Sequence, residues 1–257
     1  MNTRHKLSAL VITFNEENNI HRCLSSLLPV ADEIIVVDSF STDNTEAICS
    51  EFGVRFIKHP FVGHIEQKNY AVDQATYNLV LSLDADEALS EELQANILVI
   101  KNLEIPLDGY RMNRLTNYCG KWIWHSGWYP DAKLRLWDRQ KGYWGGVNPH
   151  DRVVLQSIEI GHLKGNLLHF SYHSISQHVK QINLFTDIAA KSKLNNGKIS
   201  NFYIIKILIA PPWEFIKKYI IKLGFMDGYY GFIIAILGSY YKFLKYIKIK
   251  QLYSWRK

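Results

Sequence analysis

Apolar runs alternate with amphipathic segments along the first hundred residues, and this alternation restricts the possible folds more than any other feature. The runs are apolar throughout rather than at every second position, which is typical of strands buried on both faces. Helical segments between such strands predict an α/β architecture with a mostly parallel sheet. The predicted strands are 7–14, 33–38, 54–58, 79–83 and 108–114, and the predicted helices are 20–28, 45–52, 65–75 and 91–101.

Polar side chains stand where three of the predicted strands end. Asn15 follows the first strand, Asp38 ends the second, and Asp84 follows the fourth. Sheets of this kind bind ligands beyond the carboxyl ends of their strands. We therefore expect these side chains to meet at one crevice, which is the predicted binding site.

Asp84-Ala-Asp86 is the motif with the most chemical content at these strand ends. Two carboxylates this close together repel each other unless a cation or several hydrogen-bond donors hold them. Carboxylate oxygens suit Mg²⁺ and Mn²⁺, and such an ion can in turn hold the diphosphate of a nucleotide or nucleotide sugar. The alternative interpretation is an acidic surface loop that binds nothing.

Other polar residues are candidates for the same chemistry. Lys68, on the predicted helix before Asp84, could contact a diphosphate or be an exposed lysine. Asp38 could accept hydrogen bonds from a ribose or a base, or could cap the helix that follows. Asp151 could take the proton of an attacking hydroxyl, and His150 could bind metal or phosphate. The alternative for His150 and Asp151 is a structural hydrogen bond.

Aromatic residues are concentrated between residues 122 and 144. Sugar rings stack on tryptophan faces, so Trp124 and Trp128 are candidate contacts for an acceptor, although the cluster could also be packing. Lys133 and Arg135, in the same region, offer cations for phosphate groups.

Several classes of site and location are disfavoured. The chain has no Gly-x-Gly-x-x-Gly dinucleotide motif and no Gly-Lys-Ser/Thr phosphate loop. Its three cysteines are widely spaced and fit a reducing compartment. The first residues do not resemble a signal peptide, so we expect a cytoplasmic start. The histidines at 162, 169, 173 and 178 match no metal-site spacing and are interpreted as structural.

The segment 201–257 differs in charge from the rest of the chain. It has ten basic and two acidic residues, whereas residues 1–200 are slightly acidic. Anionic lipid and nucleic acid are both possible partners, and the large apolar residues between the lysines favour lipid. Its apolar runs, 203–213 and 229–241, are shorter than the ~20 residues that span a bilayer, and Pro211 and Pro212 are expected to break the first. We predict an amphipathic interfacial segment, with a short span or a dimer contact as alternatives.

Four stretches taken together resemble family 2 glycosyltransferases. They are Leu10–Glu17, Ile35–Thr45, Gln67–Ala71 and Leu83–Glu87. The likeness covers about residues 7–155 and is strongest to lipopolysaccharide core enzymes that add glucose to an inner-core heptose; the tail around 224–228 is similar to that subgroup. The resemblance implies a GT-A type nucleotide-sugar fold over 1–200, with a donor half (1–105), an acceptor half (106–200) and a membrane-interface tail (201–257).

The resemblance also implies roles for single residues. It implies Mg²⁺ or Mn²⁺ as cofactor, with Asp86 and Asp84 as the metal residues and Asp86 favoured as the direct ligand, and Asp151 as the general base. Of the predicted donor-binding residues, the resemblance implies Asp38, Asp84, Asp86 and Arg135, whereas Thr13, Asn15, Glu16 and Lys68 are predicted from their positions after the first strand and on the helix before Asp84. The candidate acceptor contacts are Trp124, Trp128 and His150.

The implied reaction is the inverting transfer of a hexose, glucose in the subgroup, from a UDP-sugar to a lipopolysaccharide core or related lipid-linked glycan. A peripheral enzyme on the inner face of the cytoplasmic membrane, without a nucleic acid partner, would carry it out. Alternative acceptors are polyprenyl phosphate and capsule or O-antigen intermediates. A non-catalytic, membrane-associated sugar-nucleotide-binding protein is the alternative of a different class. A nucleotidyltransferase is disfavoured because residues 13–16 are not a glycine-rich basic loop.

Overall fold

A computed structural model describes residues 5–103, 107–147, 150–156, 159–195 and 203–254. The chain forms two compact units, residues 1–115 with 131–170 and residues 116–130 with 171–257. The predicted boundary at residues 200 and 201 lies outside the described residues and stays a prediction.

The first unit contains every strand and helix predicted up to residue 101, each within about two residues of its expected ends. Ser90 caps the last of these helices by accepting a hydrogen bond from the backbone of Leu93 at 3.3 Å. The elements are β1 (Leu7–Thr13), α1 (Ile20–Leu27), β2 (Glu33–Asp38), α2 (Thr45–Glu51), β3 (Arg55–Lys58), α3 (His64–Gln74), β4 (Leu79–Asp84), β5 (Glu87–Leu89) and α4 (Glu91–Lys101).

The strands that follow α4 pair mostly in antiparallel fashion. Two of them, β6 and β11, start in the first unit and end in the second, and the change of unit falls at Thr116 in β6 and at Ser171 in β11. These elements are β6 (Gly109–Tyr118), β7 (Lys121–Ile123), β8 (Asp131–Asp138), β9 (Gly142–Val147), β10 (His150–Leu155) and β11 (Ile160–Tyr172), of which β7 lies in the second unit.

The main sheet has the strand order β3-β2-β1-β4-β8-β6-β11-β5. Strands β3, β2, β1 and β4 are parallel, while β8 runs antiparallel to β4 and β6. The register pairs Thr13 with Asp38 and Ile12 with Asp84. The predicted meeting of the carboxyl ends of β1, β2 and β4 is therefore confirmed.

Helices cover both faces of the parallel strands. Alternate residues of β1 illustrate this, since Ala9 and Val11 belong to a core with α1 and α4, whereas Leu10 belongs to a core with α3. The strands are apolar at every position because both of their faces are buried. Gly165 lies against the start of α4, where a Cβ atom would come within 2.4 Å of the backbone nitrogen of Leu93.

The second unit is largely helical. Its helices are α5 (Ile175–Asn195), α6 (Tyr203–Ile216) and α7 (Gly228–Ser254), and both α5 and α6 pack against α7. A π-helical turn, Lys217–Ile221, and a 3-10 turn, Gly224–Asp227, join α6 to α7. His178 on α5 contacts the hydroxyl of Tyr118 at 2.9 Å, and burial followed by the charge of Lys218 lowers its pKa to about 4.

The prediction that proline breaks the first apolar run of the tail is wrong. Pro211 and Pro212 both lie inside α6, which continues to Ile216. Each proline removes one backbone donor, but α6 packs along α7, and the hydroxyl of Ser239 donates to the carbonyl of Pro211 at 2.8 Å. Packing against a neighbouring helix thus offsets the weaker backbone pairing.

None of the described helices is by itself long and apolar enough to cross a bilayer. The segments Ile204–Ile221 and Gly224–Tyr253 meet the length and composition requirement only as a pair, and that pair is bent by 71°.

Candidate active site

A buried lysine joins the two carboxylates that the sequence places in different roles. The ammonium of Lys68, on α3, lies 2.9 Å from Oδ1 of Asp84 at the end of β4. The same ammonium lies 2.7 Å from Oδ2 of Asp151 on β10. The Lys68 side chain is only 4% exposed, so it is not the exposed helix lysine of the alternative interpretation. One nitrogen therefore binds both Asp84 and Asp151.

Arg135 on β8 supplies the second cation of this cluster. Its Nη2 contacts Asp84 at 3.0 Å and Glu87 at 2.9 Å, and both Arg135 and Glu87 are buried. Arg114 Nη1 is 3.6 Å from the same Glu87 carboxylate. Burial opposes the charge of Arg135, but Glu87 and Asp84 outweigh it and raise the pKa of the guanidinium.

The charge of Asp84 depends on these two cations. Burial alone would raise its pKa, but the ion pairs with Lys68 and Arg135 outweigh burial and hold the pKa of Asp84 well below its usual range. Both oxygens of Asp84 are bound, one to each cation. Asp84 is therefore an ionised residue engaged with protein groups.

The indole ring of Trp144 lies against both cations. The Lys68 ammonium lies 4.4 Å from its ring centroid, and the Arg135 guanidinium carbon lies 5.2 Å away. Asn69, next to Lys68, exchanges two hydrogen bonds of 2.8 and 2.9 Å with the backbone of Trp144. The pair fixes α3 against β9, so the position of Lys68 is set by the backbone of the neighbouring strand.

Two donors in the cluster have no partner among the residues that the structure describes. They are Nε of Arg135 and Nε1 of Trp144, both buried. A buried donor left unpaired costs about 1–3 kcal/mol, and each such group calls for an explanation such as a bound water or ligand.

Asp86 lies in the turn after β4 and faces a histidine from a distant part of the chain. Its Oδ2 is 3.2 Å from Nε2 of His169 on β11. Strand β11 pairs antiparallel with β5, and the backbone of Phe170 donates to the Asp86 carbonyl at 2.8 Å. The sequence interpretation of His169 as structural missed this position, and no spacing rule signals it, because only the return of β11 beside β5 brings the two together.

The ends of β1 and β2 are joined by side-chain hydrogen bonds. Both oxygens of the buried Asp38 accept from Ser41, one from its backbone and one from its hydroxyl. Asn15 has a left-handed backbone (φ 54°), and its Oδ1 accepts from the backbone of Thr42 at 2.8 Å. In this arrangement Asp38 shapes the turn that follows β2, and its role toward a nucleotide stays a prediction.

Thr13 and Glu16 lie next to these residues. The hydroxyl of Thr13 is buried and lacks a partner among the described residues. Glu16 accepts from the Asn19 amide at 2.7 Å. Burial, assisted by the charges of Asp86, Asp43 and Asp84 and opposed by the Asn19 hydrogen bond, raises the pKa of Glu16. Their donor-binding roles stay predictions.

The predicted acceptor residues have different surroundings. Trp124 is 45% exposed in the second unit. Trp128 is half-buried in the same unit and packs against Tyr118 and Tyr172. His150 is the first residue of β10, and its side chain lies outside the described part of the structure. Of the two predicted tryptophan contacts, Trp124 is thus the more exposed.

Comparison with known proteins decides the family. The sequence model described as Glycosyl transferase family 2 matches residues 8–158, which include Asp84, Asp86, Arg135 and Asp151. The chain belongs to this glycosyltransferase family. Its α/β sheet is the GT-A type fold that the resemblance implied.

Two relatives match this glycosyltransferase over nearly their whole length. An uncharacterised glycosyltransferase of Rickettsia typhi is 32% identical over 96% of this chain and 87% of its own. LpsC of Rhizobium meliloti, named as a lipopolysaccharide core biosynthesis glycosyltransferase, is 30% identical over 95% of this chain and 92% of its own.

Solved structures are more distant from this glycosyltransferase. Staphylococcus aureus TarS (residues 1–349), solved with UDP, is 16% identical over 98% of this chain and 91% of its own, with a TM-score of 0.47. Glucosyl-3-phosphoglycerate synthase of Mycobacterium tuberculosis, solved with Mn²⁺, UDP and glucosyl-3-phosphoglycerate, is 21% identical over 42% of this chain and 43% of its own, with a TM-score of 0.37.

The described residues alone do not enclose a metal ion. They contain no group of three or more His, Cys, Asp or Glu side chains arranged to hold one. Asp86 and His169 nevertheless offer one carboxylate oxygen and one imidazole nitrogen 3.2 Å apart, which fits two ligands of a divalent cation. Such a pair would need phosphate or water oxygens to complete the coordination.

Proposed function

We propose that this glycosyltransferase transfers a hexose, glucose in the first instance, from a UDP-sugar to a lipopolysaccharide core or related cell-envelope glycan, with inversion at the anomeric carbon. The observation that carries the proposal is the bridge through Lys68, which brings Asp151 and Asp84 to one buried nitrogen. The relationship to LpsC, which is named as a lipopolysaccharide core biosynthesis glycosyltransferase, supports the choice of acceptor.

The proposed step is a single displacement. The acceptor hydroxyl attacks the anomeric carbon, its oxygen forms the new glycosidic bond, and its proton passes to a carboxylate oxygen of Asp151. The bond from the anomeric carbon to the phosphate oxygen breaks, and its electron pair leaves with UDP. Lys68 orients Asp151 and adds positive charge beside Asp84. One attack from the face opposite the leaving group inverts the configuration.

In the proposal Asp86 and His169 would hold Mg²⁺ or Mn²⁺, whereas Asp84 is engaged by Lys68 and Arg135. The bound ion would neutralise the charge that develops on the departing diphosphate. The unpaired Arg135 Nε and Trp144 Nε1 are additional donors at the same cluster.

UDP release tests the donor, the acceptor and the ion together. The purified full-length protein is incubated with UDP-glucose and with core glycan prepared from a strain that lacks this gene. We expect UDP release and a product heavier by one hexose, loss of both with EDTA, and recovery with Mn²⁺ or Mg²⁺. Full activity after metal removal would contradict the role of Asp86 and His169. Absence of UDP release with every UDP-hexose would contradict the proposed reaction. The anomeric configuration of the product, measured by NMR, tests the proposed inversion.

The tail carries an apolar surface that nothing in the described second unit covers. Leu208 on α6 is 68% exposed and Met226 in the 3-10 turn is 58% exposed. The same part of the tail contains Lys206, Lys217, Lys218 and Lys222. Exposed large apolar groups together with lysines are typical of segments that lie in the interface of an anionic membrane. We propose that α6 and the turns before α7 bind the protein peripherally to the cytoplasmic membrane.

A single charge on the tail should weaken membrane binding. Burying a leucine side chain contributes about 1.5–3 kcal/mol, so Leu208→Glu should lower binding to vesicles containing anionic lipid by about tenfold or more. Flotation with anionic and with zwitterionic vesicles measures this. Val99→Glu is the matched control, since Val99 is 60% exposed on α4 in the first unit. Equal flotation of the two variants would contradict the tail proposal.

A further inference from the structure

A buried aspartate holds a histidine in a fixed orientation in the second unit. Asp227, at the end of the 3-10 turn, is only 2% exposed. Its carboxylate accepts from the backbone of Trp124 at 3.1 Å, from the backbone of His125 at 3.0 Å, and contacts Nδ1 of His125 at 3.0 Å. Because a carboxylate only accepts hydrogen bonds, Nδ1 carries the proton in this contact. Nε2 of His125 is then the ring atom available to a ligand.

The residues beside this histidine form an accessible aromatic surface. Trp124 is 45% exposed, and its ring meets that of Tyr129 edge-to-face with centroids 4.9 Å apart. The His125 side chain is 28% exposed. A flat apolar ring next to one oriented polar atom is the combination with which proteins bind a sugar, whose C–H face is apolar and whose rim carries hydroxyl groups.

The loop that carries Trp124 and His125 is held in an unusual backbone conformation. Ser126 and Gly127 both have left-handed φ angles, 60° and 74°. The Ser126 hydroxyl is buried without a partner among the described residues. Gly127 adopts this conformation freely, but for Ser126, a non-glycine residue, it costs about 1–3 kcal/mol, and such strain is concentrated at functional sites. Besides the two backbone hydrogen bonds to Asp227, the contact to Nδ1 fixes the orientation of the His125 ring.

The same turn that supplies Asp227 also exposes apolar side chains. Phe225 is 50% exposed and Met226 is 58% exposed, both within the turn that ends at Asp227. This is part of the surface for which we propose membrane contact. A sugar bound at Trp124 and His125 would accordingly lie close to the membrane surface, where the glycan of a lipid-anchored acceptor is found.

We propose that Trp124 and His125, with Asp227 as the positioning residue, form a subsite for one sugar of the membrane-anchored glycan acceptor. The indole stacks on the sugar face and Nε2 of His125 makes a hydrogen bond with a ring hydroxyl. The inference rests on the proposed function and adds to it a place where the acceptor is held, in which His125 and Asp227 are the newly assigned residues.

Two substitutions of His125 distinguish a role in acceptor binding from a role in the structure of the loop. His125→Asn keeps a donor at the Nδ1 position for Asp227 but has no equivalent of Nε2. We expect a three- to tenfold higher KM for the core glycan, with kcat and the KM for UDP-glucose within twofold of the parent values. His125→Gln, whose amide reaches the Nε2 position, should recover part of the affinity. Trp124→Ala should raise the acceptor KM by tenfold or more, and His162→Asn, at an exposed position of β11, is the control.

Saturation-transfer NMR with the same core glycan, without donor, tests binding independently of turnover. The parent protein should transfer saturation to the sugar, and Trp124→Ala and His125→Asn should transfer much less at unchanged melting temperature. Parent-like saturation transfer and acceptor KM in both variants would overturn the subsite while leaving the proposed function intact. If the parent protein binds the glycan but releases no UDP from any UDP-hexose, the proposed function fails while the subsite stands.

Discussion

Replacing Asp151 with asparagine should lower kcat for transfer by about 10²–10⁴-fold, because an amide cannot accept the proton of the attacking hydroxyl. The substitution keeps the size of the side chain and leaves a carbonyl oxygen that accepts from Lys68, which lies 2.7 Å from the native carboxylate. Asp84 remains as the second partner of Lys68. The KM for UDP-glucose and the melting temperature should therefore change little.

Asp73→Asn is the matched control for this experiment. Asp73 is exposed on α3, the helix that also carries Lys68, so the same chemical change there should leave kcat within twofold. Asp151→Glu restores a carboxylate and should recover part of the activity. Full transfer activity in Asp151→Asn, with glycan product confirmed by mass spectrometry, would remove Asp151 from the mechanism and leave the family assignment unchanged.

The strands and helices up to residue 101 could be predicted because their signals are local. Continuous apolar runs mark β1, β2 and β4, and Gly53, with a left-handed φ of 62°, follows the end of α2 as expected. The position of Asp84 at a strand end follows from the same pattern. A sheet of known direction then brings Thr13, Asp38 and Asp84 to one edge.

The partners of these residues could not be predicted, because they come from distant parts of the chain. Lys68 and Asp151 are separated by 83 positions, and His169 reaches Asp86 only through the antiparallel pairing of β11 with β5. Glu87 follows Asp86 in the sequence and resembles one more surface acid, yet its side chain has 0% exposure. The burial of Glu87 can be inferred only when the arginine that compensates its charge is known.

Pro211 and Pro212 show that a prediction from local sequence also fails when tertiary packing overrides a local preference. Their local preference is to end a helix, but packing of α6 on α7 overrides it. Local preferences decide the conformation of a segment that has no tertiary contacts. A packed interface between two helices adds contacts that the sequence of either helix alone does not reveal.

Removal of the Arg135 guanidinium should have the largest effect on stability. Arg135→Met leaves the more distant Arg114, at 3.6 Å, as the cation paired with the buried Glu87 among the described residues, and leaves Lys68 as the remaining lysine or arginine partner of Asp84 there. Breaking a buried ion pair from one side costs about 3–5 kcal/mol, since the remaining charge is left uncompensated. We expect that decrease in the free energy of unfolding, measured by urea denaturation. Arg55→Met, at a half-exposed ion pair with Glu33, should cost about 1 kcal/mol or less.

A second substitution tells whether the cost arises from the uncompensated charge. Glu87→Gln removes the buried negative charge while keeping the shape, so the double variant Arg135→Met with Glu87→Gln should regain a large part of the lost stability. A double variant as unstable as the sum of the two single variants would show that Arg135 acts through packing on Trp144 rather than through Glu87. The double variant also tests donor binding. If it folds but no longer binds UDP-glucose, Arg135 contributes directly to holding the donor, as the family resemblance implies, in addition to stabilising the fold.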